Sequence, residues 1–379
     1  MKYIYIIIVS ILLFSCVKIP TNNYVSPLNI PANFNWKTIE SKKVILSTAS
    51  SIINEDGDTI AEGLSAGTYN IVAGKSSVLT IIPDPETPQT KAISGIKKYV
   101  YFPAKSKYAT VFFEDLFPSK GDMDMNDIAF GLYIRYLLDN QSNVLGIEIN
   151  IQPRAIGSLF ALIGLAANLS SDTPIDIVQE IVHSRDPYLS PLFSTSNPGG
   201  PYQPEAGITT SQVIPITGNY RGYFNNIKDL FLNVRDVDPV TTSNAFKVTI
   251  DIIDSKIFPY SNMTFLDSAQ ADKINLDIFA MVFERGREIH FKGQKPTQKF
   301  SLQYFSSTRP KTDFSTSDNW VWAIISDKSI RYPKEYVKIY NAYPNFKVWA
   351  ESGGIINSAW YSPSVADSLY RKSNFSYIN

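Results

Sequence analysis

The sequence predicts an all-β fold, mainly an antiparallel β-sandwich with a small C-terminal helical segment. Three observations favour this class. Apolar and polar residues alternate in several stretches, as in residues 144–152, where every second side chain is leucine or isoleucine. Aromatic residues make up 13% of the 379 residues, whereas helical periodicity is scarce. An open antiparallel sheet of this size must be covered, and a second sheet covers it most economically.

The composition excludes several classes of protein. The chain has 35 Lys+Arg and 35 Asp+Glu, so it lacks the net positive charge expected of a nucleic-acid-binding protein. Its aromatic content excludes a disordered chain. A single cysteine excludes an internal disulfide framework and a cysteine-rich metal site, and two histidines leave little room for a histidine-built one.

The N-terminus carries a targeting signal. Residues 1–15 combine Lys2 with an apolar stretch that is shorter than the about 20 residues a membrane span needs, as in a signal peptide. The run Leu13-Phe14-Ser15-Cys16 resembles the lipobox of bacterial lipoproteins, which implies that Cys16 is lipidated and anchors the protein to a membrane. Val17 in place of aspartate favours the outer membrane, on its periplasmic or its cell-surface face. The alternative is an ordinary secretory signal.

Turn signals and short β-like runs divide the rest of the chain. Residues 16–35 are rich in Pro and Asn and are expected to form a tether. Residues 36–96 are predicted to form a small β-sandwich-like module, in which Asp56-Gly57 marks a hairpin turn. Residues 97–379 are predicted to form the larger β-rich domain.

The larger domain begins with strong strand patterns. Residues 128–136 and 144–152 both alternate with period two, and the polar segment between them predicts an antiparallel hairpin. Residues 246–253 and 276–283 repeat this pattern. The apolar run at residues 158–167 is expected to be a buried strand, with a partner-binding patch as the alternative. Within residues 332–354, Pro344 suits the start of a helix and Gly353-Gly354 its end.

The strongest chemical feature is an acidic segment before the predicted hairpin. Its six oxygen-bearing side chains are Glu114, Asp115, Asp122, Asp124, Asn126 and Asp127. Asp122, Asp124 and Asn126 stand at positions 1, 3 and 5, as in the loop of an EF-hand, and Ca²⁺ prefers such oxygen ligands. The spacing therefore predicts a Ca²⁺ site.

The segment departs from an EF-hand in its second half. Position six is Asp127 instead of glycine, and position twelve is Tyr133 instead of glutamate. The missing ligand must come from elsewhere, and Glu114 and Asp115 are the nearest candidates. The alternative is a solvated acidic turn that binds no ion.

Residues 112–133 also resemble the signature of the LruC domain, found in lipoproteins of Bacteroidetes and of spirochaetes. The family pattern, F-E-D-x-W-P-x-x-G-D-Y-D-F-N-D, keeps every oxygen ligand here, while Phe117 and two methionines replace the usual aromatics. Further similar motifs follow at residues 154–157, 287–297 and 342–354. The resemblance implies a cell-envelope lipoprotein with a Ca²⁺ site, and it implies no defined activity.

Two functional hypotheses follow. The first is an outer-membrane lipoprotein whose Ca²⁺-stabilised β-rich domain serves in adhesion, glycan or protein binding, or envelope structure. The alternative is a Ca²⁺-dependent glycan hydrolase with two further carboxylates in a cleft. The pair Glu288 and His290 suggests Zn²⁺ binding only if another carboxylate joins it, and a histidine hydrogen-bonded within its strand is the preferred interpretation.

Overall fold

The structure is a computed structural model. It describes residues 28–85, 95, 98–193, 202–225, 228–270, 272–307 and 312–370. The predicted signal peptide, Cys16 and the first part of the predicted tether lie outside the described residues. No helix in the described part of the chain is both long and apolar enough to cross a membrane.

Strands dominate the described chain. In chain order they are β1 (Ile39–Leu46), β2 (Ser50–Ile53), β3 (Thr59–Leu64), β4 (Gly67–Gly74), β5 (Thr80–Pro83), β6 (Lys98–Phe102), β7 (Ala109–Phe113), β8 (Ile128–Leu138), β9 (Asn143–Ala155), β10 (Ile163–Ser170), β11 (Val178–His183), β12 (Ser211–Thr217), β13 (Phe246–Ile252), β14 (Phe258–Pro259), β15 (Met263–Phe265), β16 (Ile274–Val282), β17 (Glu288–Ile289) and β18 (Ala323–Ser326). The α-helices are α1 (Gln303–Ser307), α2 (Ile339–Ala342) and α3 (Pro344–Glu351).

The largest sheet is built around the predicted hairpin. Strands β8 and β9 pair antiparallel, with Tyr133 opposite Asn150, which confirms the hairpin. From one edge the order is β11-β13-β9-β8-β6-β3-β2-β5, with β14 on β9, and β7 pairing both β8 and β18. In β13 buried and half-buried residues alternate along the whole strand, as expected when one face of a sheet packs on a core.

A second sheet has the order β12-β10-β16-β15, with β17 on β16. The pair β15–β16 is parallel, and the other strand pairs among the described residues are antiparallel. The apolar run at residues 158–167 leads into β10, whose first seven residues are buried, although Leu159 before it is 56% exposed. The predicted all-β, mainly antiparallel fold class is confirmed.

The predicted boundary at residues 96 and 97 falls within one sheet. Strand β3 pairs with β6 across it, with Ala61 opposite Val100, and β2 and β5 extend the same sheet. Strands β1 and β4 form a separate two-stranded sheet. The division into a small module and a larger domain remains a prediction.

Two large cores and a smaller one, the last around Phe193 and Phe279, are found in the described residues. The first combines side chains of both large sheets, such as Ile149 and Val248 with Leu165 and Ile278. The second lies where α2 and α3 pack on β7 and β18, and it contains four of the five tryptophans. Helix α3 begins at Pro344 and is followed by glycines with positive φ, which confirms the predicted start and end of this helix.

Candidate metal centre

The acidic segment connects two strands of the largest sheet. It leaves β7 at Glu114, whose N–H donates to the carbonyl of Trp322 at 2.9 Å, and it enters β8 at Ile128. The Arg287 guanidinium donates to the carbonyls of Asp115 at 3.0 Å and Phe117 at 2.7 Å. The first part of the segment is therefore held by Trp322 and Arg287, which directly precede β18 and β17.

Alternating side chains of the segment serve two purposes. Met123 and Met125 are 3% and 0% exposed and pack in the second core. Both have positive φ, at 68° and 58°, which is uncommon for residues other than glycine. Anchoring the methionines lets Asp122 and Asp124 meet Glu114, and one carboxylate oxygen of each lies within 4.8 Å of the other two. We call these three carboxylates, with Asn126 and Glu335 described below, the acidic centre.

Backbone N–H groups satisfy some oxygens of the acidic centre. Glu114 Oε1 accepts from the N–H of Met125 at 2.8 Å. Asp124 Oδ1 accepts from Asn126 N–H at 3.2 Å, and Asp124 Oδ2 from Tyr336 N–H at 2.8 Å. Glu114 is fully buried and Asp124 is 1% exposed, whereas Asp122 is half-buried.

Other buried oxygens of the acidic centre have no hydrogen-bond partner. These are Glu114 Oε2, Asn126 Oδ1 and Glu335 Oε2. Two glycines make room for them. A Cβ on Gly121 would lie 2.2 Å from Glu114 Oε2, and a Cβ on Gly157 would lie 2.0 Å from Asn126 Oδ1 and 2.8 Å from Glu335 Oε2. A buried oxygen without a partner costs free energy, so these oxygens fit a bound cation.

The pKa values of these carboxyl groups are raised because negative charges are buried close together. Burial, and then the charge of Asp122, raises the pKa of Glu114 and of Asp124 well above the usual range for carboxyl groups. Burial, followed by Asp122 and Asp115, raises the pKa of Glu335 to about 8. The Arg235 guanidinium opposes this rise without cancelling it. A divalent cation would favour the ionised forms of all these carboxyl groups.

Asp115 and Asp127 lie beside the acidic centre and have different partners. Asp127 Oδ2 accepts from the N–H of Asp115 at 2.7 Å. Burial raises the pKa of Asp115, while a hydrogen bond from Ser158 and the charge of Arg287 lower it. Of the six predicted ligands, the structure brings one oxygen each of Glu114, Asp122 and Asp124 together, and the N–H of Asn126 donates to Asp124. Burial, and then the charges of Asp115, Glu114, Asp124 and Asp122, raise the pKa of Asp127 well above its usual range, so this carboxyl also feels the charge of the acidic centre.

Glu335 is a candidate ligand that the sequence pattern did not reveal. The backbone N–H of Tyr336, the residue after Glu335, donates a hydrogen bond to the carboxylate of Asp124, which lies 212 positions earlier in the chain. The departure from the EF-hand pattern indicated that a ligand was missing, but not where it would come from. Glu335 stands alone between Lys334 and Tyr336, and no spacing to the acidic segment marks it as a ligand.

His290 lies in a second buried charged cluster. Its Nδ1 is 2.5 Å from Asp277 Oδ2, and its Nε2 is 2.9 Å from Glu288 Oε2. Burial lowers the pKa of His290, but the two carboxylates outweigh it and raise this pKa to about 9. Asp277 is a further carboxylate beside this pair, but it and Glu288 lie on opposite ring nitrogens, so the two carboxylates do not meet at one ion with this ring. His290 directly follows β17, and its two hydrogen bonds agree with the preferred interpretation of a histidine bonded to its neighbours.

Arg285 connects this histidine to further charges. Its guanidinium donates to both carboxylate oxygens of Glu205, at 2.7 to 3.1 Å, and also to Glu288. Lys299 Nζ lies 2.9 Å from Glu205 Oε1. We call this set the His290 network; its members are Asp277, His290, Glu288, Arg285, Glu205 and Lys299.

Comparisons with known proteins give one family and one fold. A family model described as "Domain of unknown function (DUF4842)" matches residues 142–361. The fold is similar to the crystal structure of a protein from Bacteroides ovatus described as a "putative lipoprotein", with a TM-score of 0.50 and 16% identity over 88% of this chain and 93% of that chain. No curated protein matches the chain. The family match begins after the acidic segment and includes Glu335.

Proposed function

The chain belongs to the family defined by the domain of unknown function DUF4842, and on this premise we propose that it is an outer-membrane lipoprotein whose β-rich domain is stabilised by Ca²⁺ at the acidic centre. In this proposal the protein serves in binding or in envelope structure. We include in the proposal that it is a member of the LruC-type lipoproteins, since three of the four motifs of that resemblance fall within the matched residues.

One observation carries the Ca²⁺ proposal. Fully buried Glu114 and Asn126 each aim an unpartnered oxygen into a group of carboxylates, and Glu335 adds a third such oxygen. Ca²⁺ takes six to eight oxygen ligands in flexible geometry, so it suits a site built from carboxylates, an amide oxygen and water. Glu114, Asp122, Asp124, Asn126 and Glu335 would hold it.

The burial of the acidic centre favours a stabilising role over glycan hydrolysis. A glycosidase needs two carboxyl groups that flank a bound sugar. Glu114 and Asp124 are at most 1% exposed, and backbone N–H groups hold an oxygen of each. These carboxylates are therefore suited to holding an ion that joins β7 to the segment before α2, and not to contacting a substrate.

The membrane anchor rests on Cys16. It follows the predicted signal peptide directly, and the protein of similar fold from Bacteroides ovatus is described as a "putative lipoprotein". Cys16→Ser is expected to move the protein from the membrane fraction to the soluble fraction. Membrane association of this variant that survives high salt would contradict the anchor.

Thermal unfolding of the full-length chain, with excess Ca²⁺ and with chelator, tests the ion. At a Ca²⁺ concentration of 100 times Kd, binding contributes about 2.7 kcal/mol, which corresponds to a rise in Tm of several degrees. Asp124→Asn should abolish this rise, because it removes a ligand charge from the centre.

The matched control is Asp172→Asn. Asp172 is also an aspartate, but it forms an exposed ion pair with Lys295 at 3.3 Å. This variant should keep the full response to Ca²⁺. Equal melting temperatures of the wild type in Ca²⁺ and in chelator would overturn the proposal.

A further inference from the structure

A cavity of about 250 Å³ opens to solvent, and none of the proposed ion ligands is among the residues that line it. Four segments form its walls: the turn between β2 and β3, the end of β4, residues 103–108 after β6, and residues 327–329 after β18. Its volume is smaller than that of pockets for drug-sized molecules, which hold about 300–1,000 Å³. It therefore suits a ligand the size of one sugar ring.

The inner lining of the cavity is apolar. Ile60, Ala73 and Ala104 line it and are each at most 3% exposed. Tyr108, which is half-buried, adds an aromatic side chain. Because the first three residues are almost inaccessible, it is Tyr108 that offers apolar surface for packing against the C–H groups of a sugar ring.

The accessible lining alternates between acids and bases. Lys328 Nζ is 2.8 Å from Asp56 Oδ2, and Lys107 Nζ is 3.6 Å from Asp58 Oδ1. Asn54 Oδ1 accepts from the N–H groups of Asp56 at 3.0 Å and of Asp58 at 2.8 Å, so the turn that carries both aspartates is held in place. The cavity thus offers fixed donors and acceptors side by side.

Asp327 adds a third carboxylate. Its side chain lies over Gly74 so closely that a Cβ there would be 2.4 Å from Asp327 Oδ2. With Asp56 and Asp58 it gives the lining three acidic side chains against two lysines. An anionic ligand would therefore meet net negative charge, and both lysines already face a carboxylate.

We propose that this cavity binds a neutral hexose. Each hydroxyl of a sugar both donates and accepts hydrogen bonds, which matches the alternating carboxylates and ammonium groups, while the ring C–H groups match the accessible side chain of Tyr108. This site goes beyond the proposed Ca²⁺ centre and does not depend on it.

Saturation-transfer NMR on the full-length chain tests the proposal. The probes are the methyl glycosides of glucose, galactose and mannose, with glucuronate as the anionic comparison. At least one neutral sugar should bind with a Kd on the order of 1 mM, and glucuronate more weakly. The hexose could be a free monosaccharide or the terminal residue of a glycan, and a trisaccharide ending in the same sugar distinguishes these two ligands. Retained binding of the trisaccharide indicates the end of a glycan, and lost binding indicates a free monosaccharide.

Two variants locate the site. Lys107→Ala removes a donor from the lining and should weaken binding about tenfold. Ser329→Trp places a large side chain at the exposed mouth of the cavity and should abolish binding. Lys105→Ala is the matched control, because Lys105 is a neighbouring lysine that pairs with Glu62 at 2.6 Å outside the lining.

The melting temperature of each variant shows whether it is folded, and only folded variants are compared. The proposal is overturned if no neutral sugar binds, if glucuronate binds more tightly than the neutral sugars, or if both folded variants bind as well as the wild type.

Discussion

The acidic centre and the His290 network are both buried groups of charged side chains, but they balance their charge differently. In the network, the acids Asp277, Glu288 and Glu205 face three bases, namely His290, Arg285 and Lys299. In the acidic centre, burial and mutual repulsion raise the pKa of its carboxyl groups despite the distant Arg235 and Lys338.

This difference in charge balance indicates which buried cluster is suited to a bound cation. The acids of the network each face a base, although Asp277 Oδ1 has no hydrogen-bond partner. The pKa of Glu288 falls to about 2 because hydrogen bonds from His290 and the charge of Arg285 outweigh its burial. The acidic centre lacks such partners and leaves oxygens without hydrogen bonds. The first cluster balances its acids with bases of the same chain, whereas the second fits a cation that the described residues do not supply.

The largest expected effect comes from removing a base from the network. Arg285→Met would leave Glu288 and Glu205, which are 0% and 3% exposed, without their shared partner. Breaking a buried pair in this way costs about 3–5 kcal/mol. Urea unfolding should show this loss equally in Ca²⁺ and in chelator.

The control for this variant is Lys42→Met, which removes an ion pair with Glu40 at the surface and should change stability by less than about 1 kcal/mol. A loss from Arg285→Met as small as that of the control would mean that the bases of the network do not balance its buried acids.

An intermediate effect is expected from crowding the acidic centre. Gly157→Ala would place a methyl group 2.0 Å from Asn126 Oδ1 and so displace a candidate ligand. Overpacking of this kind costs about 1–3 kcal/mol, and Ca²⁺ affinity measured by calorimetry should fall at least tenfold. Gly286→Ala, whose methyl would meet its nearest atom at 3.3 Å, should keep the affinity. Unchanged affinity in Gly157→Ala would remove Asn126 and Glu335 from the ligand set.

A further effect concerns pH. The pKa of Glu335 is raised from 4.5 to about 8, so in chelator its contribution to stability is fully present below pH 4.5 and is lost as the pH rises through 8. Ca²⁺ binds the ionised form, so its stabilising effect should grow over the same range. Glu335→Gln should reduce both slopes in melting temperature against pH, and slopes equal to those of the wild type would contradict this account.

Much of the fold could be predicted because its pattern is local. The period-two alternation in residues 128–136 and 144–152 corresponds to β8 and β9, and Pro344 correctly marked the start of α3. The parallel pair β15–β16 could not be predicted, since the three residues of β15 are too few to show a period.

The candidate site was predictable only in its local half. The alternation of Asp122 and Asp124 with two methionines is visible in the sequence, although the methionines could not be assigned to a core. Glu335 and Gly157 join the site through long-range packing, which no spacing rule records. The second core, which is rich in tryptophan, also forms through long-range packing, because its members come from both ends of the described chain. It could therefore not be predicted from local patterns.

The hydrogen bond between Asp124 and Tyr336, which spans 212 positions, also sets an order in time. Synthesis proceeds from the N-terminus, so strands β7 and β8 emerge long before the segment that carries Glu335. The acidic centre is complete only when that late segment docks, and closing so long a loop is entropically costly. Bound Ca²⁺ would therefore slow the dissociation of the C-terminal segment that carries Glu335, and it would not change the rate at which β7 and β8 pair.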